Sequence, residues 1–298
     1  HADHVGMHGH GRAGSLGELG LWGLLADERV TVGTLIDRGA FIIGPKGATQ
    51  RAYERSLPLW LRGSVAHRQV AREGMLIEMG PGLKVEVVAV NGAGRLLEIM
   101  EKKKSFFRRY PPSENDYSIA LKFTLGEFEL FSGGDLSGQD AVRKFGTTAS
   151  SYNDIESRVA ARVGDVEVYR VNHHGSDHSS NPCFIRVLNP EVSIFSVGDN
   201  GYGHPTLRVY EALRRISRVI LTGGADRRVY SQVKQDINHG PVEVVVEPGG
   251  AHYYVEGERY RSLTEAEERA RSDFLPGCED KDRAEDEAAG GAGQEPED

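Results

Sequence analysis

Asn172-His173-His174-Gly175-Ser176 closes the run Val166-Glu167-Val168-Tyr169-Arg170-Val171. Apolar residues alternate along that run, the period of a half-buried strand, and the glycine after the histidines marks a turn. The stretch therefore predicts two adjacent imidazoles delivered to a strand edge. Three other segments have a matching character. His1-Ala2-Asp3-His4 opens the chain, Gly133-Gly134-Asp135-Leu136 follows a second strand pattern, and Tyr202-Gly203-His204-Pro205 follows a third. All four are expected to converge on one metal centre.

Around these segments the pattern is mixed. Strands are expected at Val30 to Ile36, Ala40 to Ile43, Leu83 to Val90, Tyr117 to Thr124 and Glu127 to Phe131, the last two joined as a hairpin by Leu125-Gly126. Beyond Asp135 strands and helices alternate. Helices are expected at Asn153 to Val163, Pro182 to Leu188 and Thr206 to Ile216. The strands are Val166 to Val171, Val192 to Val197, Arg218 to Leu221, Val242 to Val246 and His252 to Val255. Earlier helices are expected at Ser15 to Ala26 and, broken at Pro58, at Thr49 to Leu61. Strands with helices between them argue α/β layers and not an all-β barrel.

The chain of 298 residues is long enough for one large domain or two small ones, and no apolar run reaches the roughly 20 residues of a membrane span. The formal net charge of -8 is concentrated at one end. Residues 264–298 hold thirteen Asp or Glu and four Lys or Arg, leaving 31 acidic and 32 basic residues before them. Residues 1–263 are thus expected to be a nearly neutral domain, compatible with a polyanionic substrate without requiring one. Residues 264–298 are expected to be a disordered acidic tail. Cys183 and Cys278 make neither a CxxC pair nor a disulfide framework, so a reducing, cytoplasmic setting and a metal held by nitrogen and oxygen are expected.

Imidazole nitrogen and carboxylate oxygen are ligands for zinc, manganese and iron. His1, Asp3 and His4 supply three such groups in four residues, although an exposed histidine-rich terminus is the plain alternative, and the one preferred for His8 and His10. Asp135 reads as a ligand or as a helix N-cap. Consecutive side chains diverge, so one of His173 and His174 is expected to ligate and the other to serve substrate or to support the ligand. His204 reads as a catalytic group or as a residue that opens a helix. Lys103 and Arg108 lie in a basic stretch with Phe106, Phe107 and Tyr110, the mixture used for phosphates and base stacking; a solvated charged loop is the alternative.

His-x-Asp-His, strand-Gly-Asp-Leu, strand-His-His-Gly-Ser and Tyr-Gly-His-Pro, in this order, resemble the metallo-β-lactamase superfamily. Within it the chain is most similar to the hydrolase domain at the C-terminus of ComEC-type DNA-uptake channels and its free-standing relatives, from residue 1 to about 256. Asn115-Asp116-Tyr117-Ser118 is similar to the family's Asn-x-x-Ser element. The resemblance implies an αββα sandwich lacking its first strands, because the family motif begins two positions before His1. It also implies a site of one or two divalent metals, zinc or manganese, held by His1, Asp3, His4, Asp135 and His173 or His174. Of the other histidine that many members place between the first motif and the aspartate, only His67 stands in that interval.

The expected function is metal-dependent hydrolysis of a phosphodiester or other ester, with nucleic acid suggested by the resemblance. Asp3 is expected to orient the attacking water and His204 to protonate the leaving group. Ser176, Lys103 and Arg108 are expected to contact substrate. The competing readings are a small-molecule ester hydrolase and a metal-free binding module on the same fold. The sequence does not fix the oligomeric state.

Overall fold

The computed structural model describes residues 24–25, 27, 29–43, 48–97, 112–138, 153–264, 266–267 and 270. Its centre is a sheet of seven strands in chain order: β3 (Leu76–Glu78), β4 (Leu83–Ala89), β5 (Ala120–Leu125), β6 (Phe128–Ser132), β7 (Val168–Arg170), β8 (Val192–Phe195) and β9 (Arg218–Leu221). The pairs from β3 to β6 are antiparallel, and those from β6 to β9 are parallel. The parallel connections pass through helices α2 (Glu156–Val163), α3 (Pro182–Leu188) and α4 (Leu207–Arg214).

Side-chain alternation sorts the parallel strands between two cores. Phe131, Tyr169, Phe195, Val219 and Leu221 face the helices, meeting Val159, Val163, Phe184, Leu188, Val209 and Leu213. The intervening Phe128, Val168, Val192, Ile194 and Ile220 face a three-stranded antiparallel sheet and pack on Tyr253 and Val255. That sheet comprises β10 (Val244–Val246), β11 (His252–Val255) and β12 (Glu258–Arg261). Strands buried on both faces carry apolar residues at every position, as β8 and β9 nearly do. The result is a helix–sheet–sheet sandwich of mixed α/β type.

A smaller unit holds β1 (Val32–Asp37) and β2 (Val65–Val70) as a parallel pair against α1 (Ala48–Trp60), with Leu57, Trp60 and Val65 buried together. Among the described residues no helix is long and apolar enough to cross a membrane.

The structure corrects several expectations. Residues 40–43 form a loop and not a strand, because Arg38 donates to the Phe41 carbonyl (2.6 Å) and the Tyr117 hydroxyl accepts from the Ile43 amide (2.9 Å). Helix α1 runs through Pro58, which lies in its last turn, where the missing N–H removes a single helical bond. The strand expected from Tyr117 starts at Ala120. Residues Glu114–Tyr117 form a tight helical turn instead, closed by Asp116, whose Oδ2 accepts from the Ser113 amide at 2.8 Å. Finally, Cys183 is disulfide-bonded, which removes the cysteine argument for a reducing compartment.

Candidate functional site

The four parallel strands end on the same edge of the sheet, and the loop after each is hydrogen-bonded to its neighbour. The β6 loop accepts at the Gly134 carbonyl from the His173 amide of the β7 loop (3.0 Å). The Gly175 carbonyl then accepts from the Thr206 amide of the β8 loop (2.8 Å), and the His204 carbonyl from the Asp226 amide of the β9 loop (2.9 Å). A crevice outside the carboxyl ends of parallel strands is where open α/β sheets bind ligands.

Asp135, His173, His174 and His204 meet at this edge. The Asp135 carboxylate is 3% exposed, with Oδ1 3.6 Å from His174 Nε2 and Oδ2 3.9 Å from His173 Nε2. The His204 ring lies 5.5 Å from that of His173 and 6.3 Å from that of His174, centroid to centroid. The Tyr202 ring is stacked with that of His204 at 6.2 Å.

The loop that carries the pair is built against local preference. His173 has φ 49° and His174 φ 54°, the left-handed region, where each costs of order 1–3 kcal/mol. Glycines on both sides let the loops approach. A Cβ on Gly133 would lie 2.4 Å from Asn172 Oδ1, and one on Gly175 would lie 2.6 Å from the Phe195 ring and 2.9 Å from Pro205. Beneath the loop Glu156 is fully buried and accepts from Asn172 Nδ2 (2.8 Å), the Ser180 amide (2.7 Å) and the Asn181 amide (2.8 Å). Burial pushes its carboxyl up to about 7, against the pull of those donors.

Hydrogen bonds fix the ring orientations. His174 Nδ1 lies 2.5 Å from the Ser196 carbonyl, which can only accept, so that nitrogen carries a proton and Nε2 is turned to Asp135. A metal-ligating histidine is characteristically oriented in this way. His173 Nε2 lies 3.3 Å from Asn115 Nδ2, an amide donor. Burial pushes both His173 and His204 down to about 4, so both rings are neutral near pH 7. His204 Nδ1 is buried without a hydrogen-bond partner among the described residues.

Imidazole nitrogen and carboxylate oxygen are the ligand types of a divalent ion. Two ligands of one tetrahedral zinc, each at about 2.0–2.2 Å, stand about 3.4 Å apart, close to the spacings from Asp135 to its two histidines. Among the described residues no group of three or more His, Cys, Asp or Glu side chains is placed to hold a metal ion. His1, Asp3 and His4, the other expected ligands, lie outside the described residues, as do Lys103 and Arg108.

Ser176 is buried, its Oγ accepting from the His178 amide (3.3 Å) and its carbonyl from Ser179 Oγ (3.1 Å), so it braces the loop. His67 stands in β2, on the smaller unit. Two residues not singled out for the site stand beside it: His178, which disfavours protonation of both His173 and His204, and Glu156. His178 lies four residues past His174, a spacing that could have flagged it. Nothing local to Glu156 sets it apart from an exposed helix residue.

No family model matches the chain. One curated protein is similar over part of it. ComE operon protein 3 of Bacillus subtilis is 32% identical over 116 residues, which is 38% of this chain and 13% of that protein. The chain thus matches only a small share of that relative's length.

Proposed function

We propose that the chain is a metal-dependent hydrolase of the metallo-β-lactamase type that attacks a phosphodiester or another ester. The observation that carries this reading is the Asp135 carboxylate set between two imidazole Nε2 atoms at 3.6 and 3.9 Å, one of them with its other nitrogen fixed on a carbonyl. The partial similarity to ComE operon protein 3 gives the chain a ComE-related link, in keeping with the resemblance read from its motifs.

The ion would be held by Asp135 with His173 or His174, completed by His1, Asp3 and His4. A bound zinc or manganese would lower the pKa of water and neutralise charge developing on oxygen. The chain's own groups do the rest. Asp135 keeps both rings turned inward, and the Ser196 carbonyl orients the His174 ring. Asn115 brings an N–H donor to the same point, where a substrate oxygen could accept it. His204 is neutral near pH 7, so in this reading it takes up a proton during attack and then returns it to the leaving oxygen.

The test is hydrolysis of bis(4-nitrophenyl) phosphate in manganese or zinc, comparing the wild type with the Asp135→Asn/His174→Ala protein. Loss of turnover with an unchanged unfolding midpoint supports the reading. Equal turnover by both proteins refutes it.

A further inference from the structure

His173 and His174 are held through their own rings, by Asn115 and by the Ser196 carbonyl. His204 is held differently. Its Nδ1 is buried without a hydrogen-bond partner among the described residues, so the ring goes where its backbone takes it. That backbone belongs to Asn200-Gly201-Tyr202-Gly203-His204, in which Gly201 and Tyr202 are exposed. Two glycines in five residues open many conformations to such a loop, and Gly203 takes φ 91°. Contacts from outside the loop must select one of them.

Asp226 and Arg228, in the loop after β9, supply those contacts. The Asp226 side chain is 1% exposed, and both its oxygens are fully engaged. Oδ2 accepts from the Gly203 amide (2.9 Å) and from Arg228 Nη2 (2.8 Å). Oδ1 accepts from Arg228 Nε (2.7 Å) and from the Arg228 amide (2.9 Å). The same Nη2 donates to the Gly201 carbonyl (3.3 Å), and the Asp226 amide donates to the His204 carbonyl (2.9 Å). One ion pair thus grips residues 201, 203 and 204. The fit is close, since a Cβ on Gly203 would fall 3.2 Å from Nη2. The Arg228 guanidinium holds the Asp226 carboxyl well below the usual carboxylate range, so the grip is in place at neutral pH. Arg228 itself is 64% exposed, and so open an ion pair adds little to global stability. Its evident effect is on the geometry of the loop.

We infer that Asp226, oriented by Arg228, is the positioning residue that sets His204 beside the histidine cluster. It acts on the reaction through His204 alone. The inference rests on the hydrolase reading, in which His204 passes a proton to the leaving oxygen.

Asp226→Asn is the direct test. Its NH₂ must face either the Gly203 amide and Nη2 or the Arg228 amide and Nε, donor against donor, so the grip fails. With diphenyl phosphate as substrate in manganese, Asp226→Asn should lower kcat about 100-fold at constant KM. Arg228→Ala, a change at an exposed side chain that leaves the Gly203 bond in place, should lower it about tenfold. In the His204→Gln background Asp226→Asn should change kcat no further, because changes that act through one group are not additive. A further loss in that background, or wild-type kcat in both single variants, overturns the inference. Positioning is also read without turnover, from modification of the histidines by diethyl pyrocarbonate followed by mass spectrometry of the peptides. Release of the loop should raise the rate at His204 about tenfold in Asp226→Asn, with the rate at the exposed His67 and the unfolding midpoint unchanged. An unchanged rate at His204 overturns the inference whether or not the ester is hydrolysed. If the wild type hydrolyses neither diphenyl phosphate nor bis(4-nitrophenyl) phosphate, the hydrolase reading fails, and the modification rates still decide whether Asp226 positions His204.

Discussion

Replacing Glu156 with glutamine probes how the histidine loop is held. The carboxylate accepts three N–H groups, from Asn172 Nδ2, Ser180 and Asn181, in full burial. Glutamine keeps the shape, and its carbonyl oxygen can keep Asn172 and Ser180. Its NH₂ then faces the Asn181 amide, donor against donor, a loss of about 2 kcal/mol. The cost should depend on pH. Burial raises the Glu156 carboxyl from 4.5 to about 7, so between these values the folded protein binds more protons than the unfolded chain. Stability contributed by the protonated carboxyl is full below pH 4.5 and fades as pH rises through 7, by about 3 kcal/mol in all. Glutamine has no such dependence. Urea unfolding at pH 5 and pH 8 should show Glu156→Gln clearly less stable than the wild type at pH 5 and the gap closing or reversing by pH 8. A gap that widens with pH would refute the reasoning, because it would mean that the carboxylate is ionised throughout and the three donors outweigh burial.

Gly175→Ala should destabilise the protein by about 3 kcal/mol in urea unfolding, since the added Cβ meets Phe195 and Pro205 at φ 77°. Asn115→Ala removes the amide that competes for the His173 Nε2 lone pair and should leave metal affinity, read by competition with a chromogenic chelator, undiminished or higher, with little change in unfolding midpoint. His204 is held at about 4, below its usual 6.5, so the unfolded chain binds more protons between these values and stability drains away as pH falls through them. His204→Gln lacks that loss. Its stability relative to the wild type should therefore improve from pH 7 to pH 4.5 in paired urea titrations.

The half of the fold after Asp135 was legible because each element carries its own signal. β8 and β9 are short apolar runs, and α3 begins at Asn181-Pro182, with the Asn181 side chain capping the Phe184 amide at 2.8 Å. That Asp135, His174 and His204 come to one strand edge was legible for the same reason, since each follows a strand and adjoins a glycine. What escaped is held by partners distant in sequence. β2, Val-Ala-His-Arg-Gln-Val, is exposed after its first residue and has no apolar alternation. It is a strand because it pairs with β1 and because Arg68 reaches Asp37 at 2.8 Å. β12 likewise depends on its turn back onto β11. Glu156 reads as an ordinary helix carboxylate, and only the packing of the loops around it shows that it braces the histidines.

The central claim is that this strand edge binds a divalent metal through Asp135 and the adjacent histidines. Elemental analysis of the purified protein, after incubation with zinc or manganese and removal of excess metal, tests it most directly. The account predicts at least about one ion per chain in the wild type, with much less retained by Asp135→Asn/His174→Ala. Equal metal content in the two proteins, or a wild type that takes up none, would contradict it.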